Sequence, residues 1–172
     1  MTRLRPPRAD DLDDVFRIHG DPRTNVHNPA GPDRDLAASR ARLGEWLEHW
    51  DRHGFGYWVV EDDDGTVVGF SGVRHETWQG RPVLNLYYRY APEVWGRGLA
   101  SAVAAHAVRW AAEHHPDRPV IAYTTEENEG LQRTARAAGL VRRPDLEYEL
   151  DGLWAVVFSV PDNRSPSGPM PA

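Results

Sequence analysis

Between Trp95 and Ser101 the chain reads Trp-Gly-Arg-Gly-Leu-Ala-Ser, and an apolar helical pattern begins at once. A helix start is normally capped by Ser, Thr, Asp or Asn. Two glycines there cost roughly 0.5–1 kcal/mol each relative to Ala. What they offer instead is bare backbone. The first amides of a helix lack intrahelical partners, and the aligned peptide dipoles place about half a positive charge beside them. A loop of small residues lets a phosphate approach those amides closely. Trp95, Gly96, Arg97, Gly98, Leu99, Ala100 and Ser101 thus read as a diphosphate cradle, with charge from Arg97 and a hydroxyl from Ser101. The plainer reading is a turn whose glycines permit close packing, and the pattern alone leaves both open. A dinucleotide fingerprint fits poorly: Ser101 stands where its third glycine belongs. The acidic residue expected about 20 positions on would be Asp117, which precedes a strand instead of ending one.

Other groupings carry less chemistry. His49 and His53 lie four residues apart on a helical pattern with Glu45 one turn before, a spacing that suits a metal. A solvated helix face explains them as well, and no metal is expected. His114 and His115 end a helix, where a cation is favourable. Asp62–Asp64 read as a polar hairpin turn. Two absences exclude mechanisms. The chain has no cysteine, and all 20 of its Lys/Arg residues are arginine. Thiolate nucleophiles, thiolate-bound zinc, the P-loop lysine and Schiff-base chemistry are therefore ruled out.

The elements that must carry the cradle follow from the period of the apolar residues. Residues 3–8 suggest a first strand cut by Pro6 and Pro7. Asp10 is expected to cap a helix to about His19, using Leu12, Val15, Phe16 and Ile18. A turn-rich loop covers 21–33. Asp33 opens a longer helix to about His53, with Leu36, Leu43, Trp46, Leu47 and Trp50 on one face. Strands follow at 56–61, 66–75 and 83–90, turning at Asp62–Gly65 and near Gly80. Pro92 stops the third. After the cradle a helix runs to about His114, with Leu99, Val103, Ala107 and Trp110 sharing a face. Then come a strand at 120–125, a helix capped by Asn128 and closed by Gly139, and an Asp-Gly hairpin over 148–160. This order implies an α+β fold, a mixed sheet covered by helices.

The 172 residues suggest one domain over 1–160, with 161–172 as a disordered tail. A net charge of −6 argues against nucleic acid as a partner. No apolar run is long enough for a membrane span, and no leader pattern opens the chain. The expectation is a cytoplasmic protein, monomer or homodimer.

The residues quoted so far are similar to the GNAT superfamily of acyl-CoA-dependent N-acetyltransferases, and within it to the branch of ribosomal-protein N-terminal acetyltransferases. WGRGLA (95–100) resembles the family's Gln/Arg-x-x-Gly-x-Gly/Ala loop, with Trp95 in the first place. HGFGYWVVEDDDGTVVGFSGV (53–73), LNLYYRYAPEVWGRGLASA (84–102), ENEGLQRTARAAGL (127–140) and DGLWAVVFSV (151–160) resemble further segments in the family's order. The resemblance implies a mostly antiparallel, splayed sheet and acetyl-CoA as co-substrate. Its pantetheine arm would meet the main chain at Tyr88, Arg89 and Tyr90, and its diphosphate would sit on 95–101. Asn128 matches an asparagine near the pantetheine, and Arg133 a basic residue that can meet a CoA phosphate. The partner implied is an amine acceptor. A non-catalytic acyl-CoA-binding module is the alternative.

The chain departs from its relatives at the proton-transfer residues. The glutamate many of them carry falls at Asn85 or Leu84, and the tyrosine of the last helix at Ala135. Asn85 would then hold a relay water, or His75 or Glu76 would serve as base. Both are expected at the end of a strand.

Overall fold

The computed structural model describes residues 2–150 and 152–161. Eight strands form one sheet in the order β1-β2-β3-β4-β5-β8-β6, with β7 paired to β8. β1 is Arg3–Arg5, β2 Tyr57–Glu61, β3 Val67–Trp78, β4 Arg81–Tyr90, β5 Val120–Thr124, β6 Val141–Arg142, β7 Tyr148–Leu150 and β8 Leu153–Ser159. The helices are α1 Leu12–His19, α2 Leu36–His53, α3 Leu99–His114 and α4 Glu129–Ala137. Every described pairing is antiparallel except β4 with β5. The α+β expectation holds. The expected tail lies, from residue 162 on, outside the described residues.

Strand side chains alternate between faces, and two apolar groups result. Tyr57, Val59, Phe70 and Tyr87 join Val15, Ile18, Leu43 and Trp46 under α1 and α2. Trp58, Val73, Leu84, Leu86, Ala122 and Phe158 pack with Ala104, Ala107 and Ala135 under α3 and α4. The sheet therefore has an α1/α2 face and an α3/α4 face.

Local chemistry moves several expected boundaries. β1 ends at Arg5. Asp11, not Asp10, organises the start of α1: its carboxylate accepts the Arg8 amide at 2.6 Å and both Arg5 terminal nitrogens at 2.6 and 2.9 Å. Arg5 also reaches Glu61 at 2.5 Å, so one guanidinium ties β1, α1 and β2. Asp35, not Asp33, caps α2 through the Ala38 amide, while Asp33 binds Ser39 and Arg42. Leu36 is exposed, two turns before the buried stripe of Leu43 and Trp46. β3 runs three residues beyond the expected end. The β3–β4 turn falls at Gln79 and Gly80, both with positive φ (49° and 74°), as a two-residue type I′ connection requires. His75 and Glu76 are thus internal to a strand pair, facing Leu84 and Val83. Their polarity resembles a strand terminus in sequence.

His19 is fully buried. Its Nδ1 lies 3.1 Å from the Val15 carbonyl and its Nε2 2.7 Å from the Tyr87 hydroxyl. The carbonyl can only accept, so Nδ1 carries the proton and Nε2 accepts from Tyr87. Burial first, then Arg42 and Arg89, hold the imidazole neutral and lower its pKa to about 3. The folded pKa lies below the unfolded 6.5, so this stability is present above pH 6.5 and is lost as pH falls toward 3. Between pH 7 and pH 5 the loss from His19 is about 2 kcal/mol. Urea titrations across that range should show it, and His19→Gln should flatten the slope.

Candidate active site

Backbone geometry decides what the glycines do. Gly96 and Gly98 both have φ of 75°, a region costly for residues with a Cβ. A Cβ built on either would meet nothing within 4 Å. They are there for conformation, not close packing. Gly98 is the N-cap of α3 and no side chain caps that end. The first bond of the helix is Ala102 N–H to the Gly98 carbonyl at 3.0 Å. The amides of Leu99, Ala100 and Ser101 come before it. An open depression of about 460 Å³ lies beside Arg97, Gly98 and Leu99, with Asp62–Asp64 on its far wall. Arg97 is exposed. Trp95 folds back so that its Nε1 donates to the Tyr90 carbonyl at 2.9 Å.

β4 and β5 pair only at Leu84 with Val120 and Asn85 with Ile121. Beyond Asn85 the strands part. The Ala91 amide bonds back to Val68 and the Leu84 amide across to Pro119. Main-chain groups alternate in direction along a strand. Leu86, Tyr88 and Tyr90 therefore turn their backbones toward the gap, while Arg89 turns its own toward β3. Of the three main-chain positions expected to meet a pantetheine, two face the opening. The Tyr88 side chain spans it, its hydroxyl donating to the Leu131 carbonyl of α4 at 2.7 Å.

The remaining candidates divide between the faces. Asn85 is buried on the α1/α2 face, and its Nδ2 donates to the Tyr57 hydroxyl at 2.9 Å. Arg74 and Glu76 alternate onto that face. Glu76 Oε1 accepts from Tyr123 at 3.2 Å. Glu76 Oε2 is buried and has no hydrogen-bond partner among the described residues. His75 points the other way, into a cluster with His49, His53, Phe55 and His115, ring centroids 4.7–5.7 Å from its own. Its Nδ1 lies 3.2 Å from Arg118, and its main-chain amide donates to His49 Nε2. Burial, then Arg118, lower the His75 pKa to about 4. The structure brings Asn85 and Glu76 together on one face and leaves His75 on the other. His49 is tied up by Phe55 and His75, and among the described residues no group of His, Asp or Glu is arranged to hold a metal.

Asn128 caps α4, its Oδ1 accepting the Leu131 amide at 3.0 Å. Arg133 is exposed on α4 and pairs with Glu129 at 3.4 Å.

The family described as an Acetyltransferase (GNAT) domain matches residues 2–141. The chain belongs to the GNAT acetyltransferase family. Solved structures agree on the fold. An acetyltransferase from Agrobacterium tumefaciens is 22% identical with a TM-score of 0.77, covering 94% of this chain and 91% of its own. A GnaT-family acetyltransferase from Bordetella pertussis is 18% identical with a TM-score of 0.75, covering 92% and 94%. A spermidine N-acetyltransferase from Vibrio cholerae, in complex with CoA and spermine, is 16% identical with a TM-score of 0.70, covering 92% of each chain. As a GNAT protein the chain is an acyl-CoA-dependent N-acetyltransferase, and its co-substrate is acetyl-CoA.

Sequence reasoning missed Tyr123 and the Tyr87–His19 pair. A lone tyrosine in a short apolar strand carries no local signal. Its partner Glu76 is 47 positions away and becomes a neighbour only through the sheet register.

The glycine conformation is testable in this GNAT domain without any ligand. Gly98→Ala should cost about 1–2 kcal/mol from the left-handed backbone alone, read as a lower urea midpoint with unchanged slope. The same change at Gly44, inside α2 and with nothing near a built Cβ, should stabilise by up to about 1 kcal/mol.

Proposed function

We propose that the protein transfers the acetyl group of acetyl-CoA to a primary amine, either the α-amine of a peptide or protein or a small-molecule amine, by direct attack in a ternary complex. The observation that carries this reading is the pairing of uncapped α3 amides with the β4–β5 opening, joined by the Tyr90–Trp95 turn. Trp95, Gly96, Arg97, Gly98, Leu99, Ala100 and Ser101 would hold the diphosphate. Tyr88 and Tyr90 would offer main-chain groups to the pantetheine, with Arg89 between them. Asn128 has an amide nitrogen left after capping, and Arg133 is exposed midway along the same helix. The fit is one of bare amides, an open approach and one added cation.

Acetyl-CoA supplies an acyl carbon already activated as a thioester. The rest falls to the protein: to exclude water, orient the amine and move protons. A neutral amine and a thioester give an amide and a thiol. The C–N bond forms, the C–S bond breaks and one amine proton ends on sulfur. A main-chain N–H facing the opening can polarise the carbonyl. Asn85 and Glu76 stand on the acceptor side, with Glu76 as the proton acceptor, directly or through a water held by Asn85. His75, neutral and on the opposite face, is set aside for this role.

A carboxylate is a weak base for an ammonium group. At pH 7 a lysine-type amine with pKa near 10.4 costs about 4.6 kcal/mol to deprotonate, an α-amine near 7.7 about 1. The site therefore favours low-pKa amines, in keeping with the resemblance to the ribosomal-protein N-terminal branch. The fold shared with the Vibrio cholerae enzyme supports an amine acceptor in general terms. We read the enzyme as cytoplasmic, working as a monomer or homodimer.

Thiol release from acetyl-CoA, measured over peptides with a free α-amine, matched Nα-blocked lysine peptides and small amines, tests the reading. Release should be fastest with the α-amine set, by at least about tenfold over the lysine peptides. No release above background with any amine would reject transferase action on this panel. A faster lysine series would reject the low-pKa preference. Glu76→Gln should lower kcat/KM by about 10²–10⁴ and leave the KM for acetyl-CoA within about twofold.

A further inference from the structure

We infer that Tyr123 is a positioning residue for the transfer reaction: its hydroxyl fixes Glu76 so that Oε2 is the atom presented to the acceptor amine. This rests on the reading of Glu76 as the proton acceptor.

Register puts Tyr123 in place. The last β4–β5 pair is Asn85 with Ile121. Tyr123 lies two residues further along β5, so its side chain is on the same face as Ile121 and Asn85. It packs with Trp78, Val83 and Ile121. From there it reaches over β4 to Glu76 on β3, donating to Oε1 at 3.2 Å.

The tyrosine is itself held. Its ring lies 4.5 Å from the Trp78 ring, tilted 34°. Trp78 packs on Tyr148 and donates its Nε1 to the Leu146 carbonyl at 3.1 Å. A ring gripped this way has one usable hydroxyl direction. Burial, then Glu76, push the Tyr123 pKa up to about 12, so the phenol stays a donor.

The carboxylate then has one engaged oxygen and one idle one. Oε2 is buried without a partner among the described residues. Buried polar atoms are ordinarily satisfied, and a carboxyl oxygen left alone calls for a partner. An ammonium group is such a partner. It would lose one proton to Oε2, and the carboxyl would later release that proton to solvent. The neutral nitrogen then forms the C–N bond as above. The other groups acting around Glu76 are Tyr57 on β2, Arg74 on its own strand, Tyr148 on β7 near Tyr123, and, through Arg74, Glu45 on α2. Among these only Tyr123 has a described hydrogen bond to the carboxylate.

Tyr123→Phe keeps the ring and its packing and removes the hydroxyl. With the best acceptor from the amine panel, kcat/KM should fall about 10–100-fold, the range for a hydrogen bond to a charged group. The loss should fall on kcat and leave the KM for the amine within about twofold. The KM for acetyl-CoA should stay within about twofold. In a Glu76→Gln background the same change should have almost no further effect. A loss carried by the amine KM instead, or losses that simply add in the double variant, would overturn the role of Tyr123 alone. A Glu76→Gln enzyme that retains its activity would overturn the Glu76 reading and this inference together. Matching thermal midpoints for the wild type and Tyr123→Phe would confirm that folding is not the cause.

Discussion

The structure depends on one interruption. A parallel pair of strands meets through two residues each and then separates, leaving β4 backbone groups without a ladder. Unpaired buried backbone is expensive, so a protein does not open a sheet without a use for the gap. Here the gap is propped from both sides. Tyr88 reaches across it to α4, and Trp95 caps the last β4 carbonyl. Pro92 and the two left-handed glycines then swing the chain directly into α3. The opening and the glycine turn into α3 are consecutive consequences of one strand ending.

The alternation of β4 and β3 side chains distributes the chemistry. Odd positions of β4 (Asn85, Tyr87, Arg89) share the α1/α2 face with Arg74 and Glu76. Even positions (Leu84, Leu86, Tyr88) face α3 and α4. A one-residue difference therefore separates two neighbouring polar residues completely. Glu76 meets Tyr123, while His75 joins the histidine cluster near Phe55. The Glu76 carboxylate and the histidine cluster come from neighbouring positions in sequence and lie on opposite sides of the sheet.

Much of the fold was legible because it is written locally. The helical stripe of Val103 and Ala107, the Asp62–Gly65 turn and Gly139 are short-range signals, and they recur in the structure; the second Asp-Gly signal has its Asp151 outside the described residues. Boundaries were less legible where polar residues sit inside an element. The polar run Arg74–Thr77 looks like a strand end until the type I′ turn at Gln79–Gly80 is seen. The helix starts were misassigned within runs of aspartates, since Asp10 and Asp11, or Asp33 and Asp35, are equal in propensity. Only the position of Arg5 and Arg42 distinguishes them.

By itself the sequence determined the glycine turn that opens α3, the donor class and the chemistries excluded by the missing cysteine and lysine. These depend on residue identity over a few consecutive positions. Tertiary structure alone decided that the glycines serve backbone conformation, that β4 parts from β5 after Asn85, and that Glu76 meets Tyr123 while His75 does not. Strand register sets those relations, and register is a property of pairing between segments far apart in the chain.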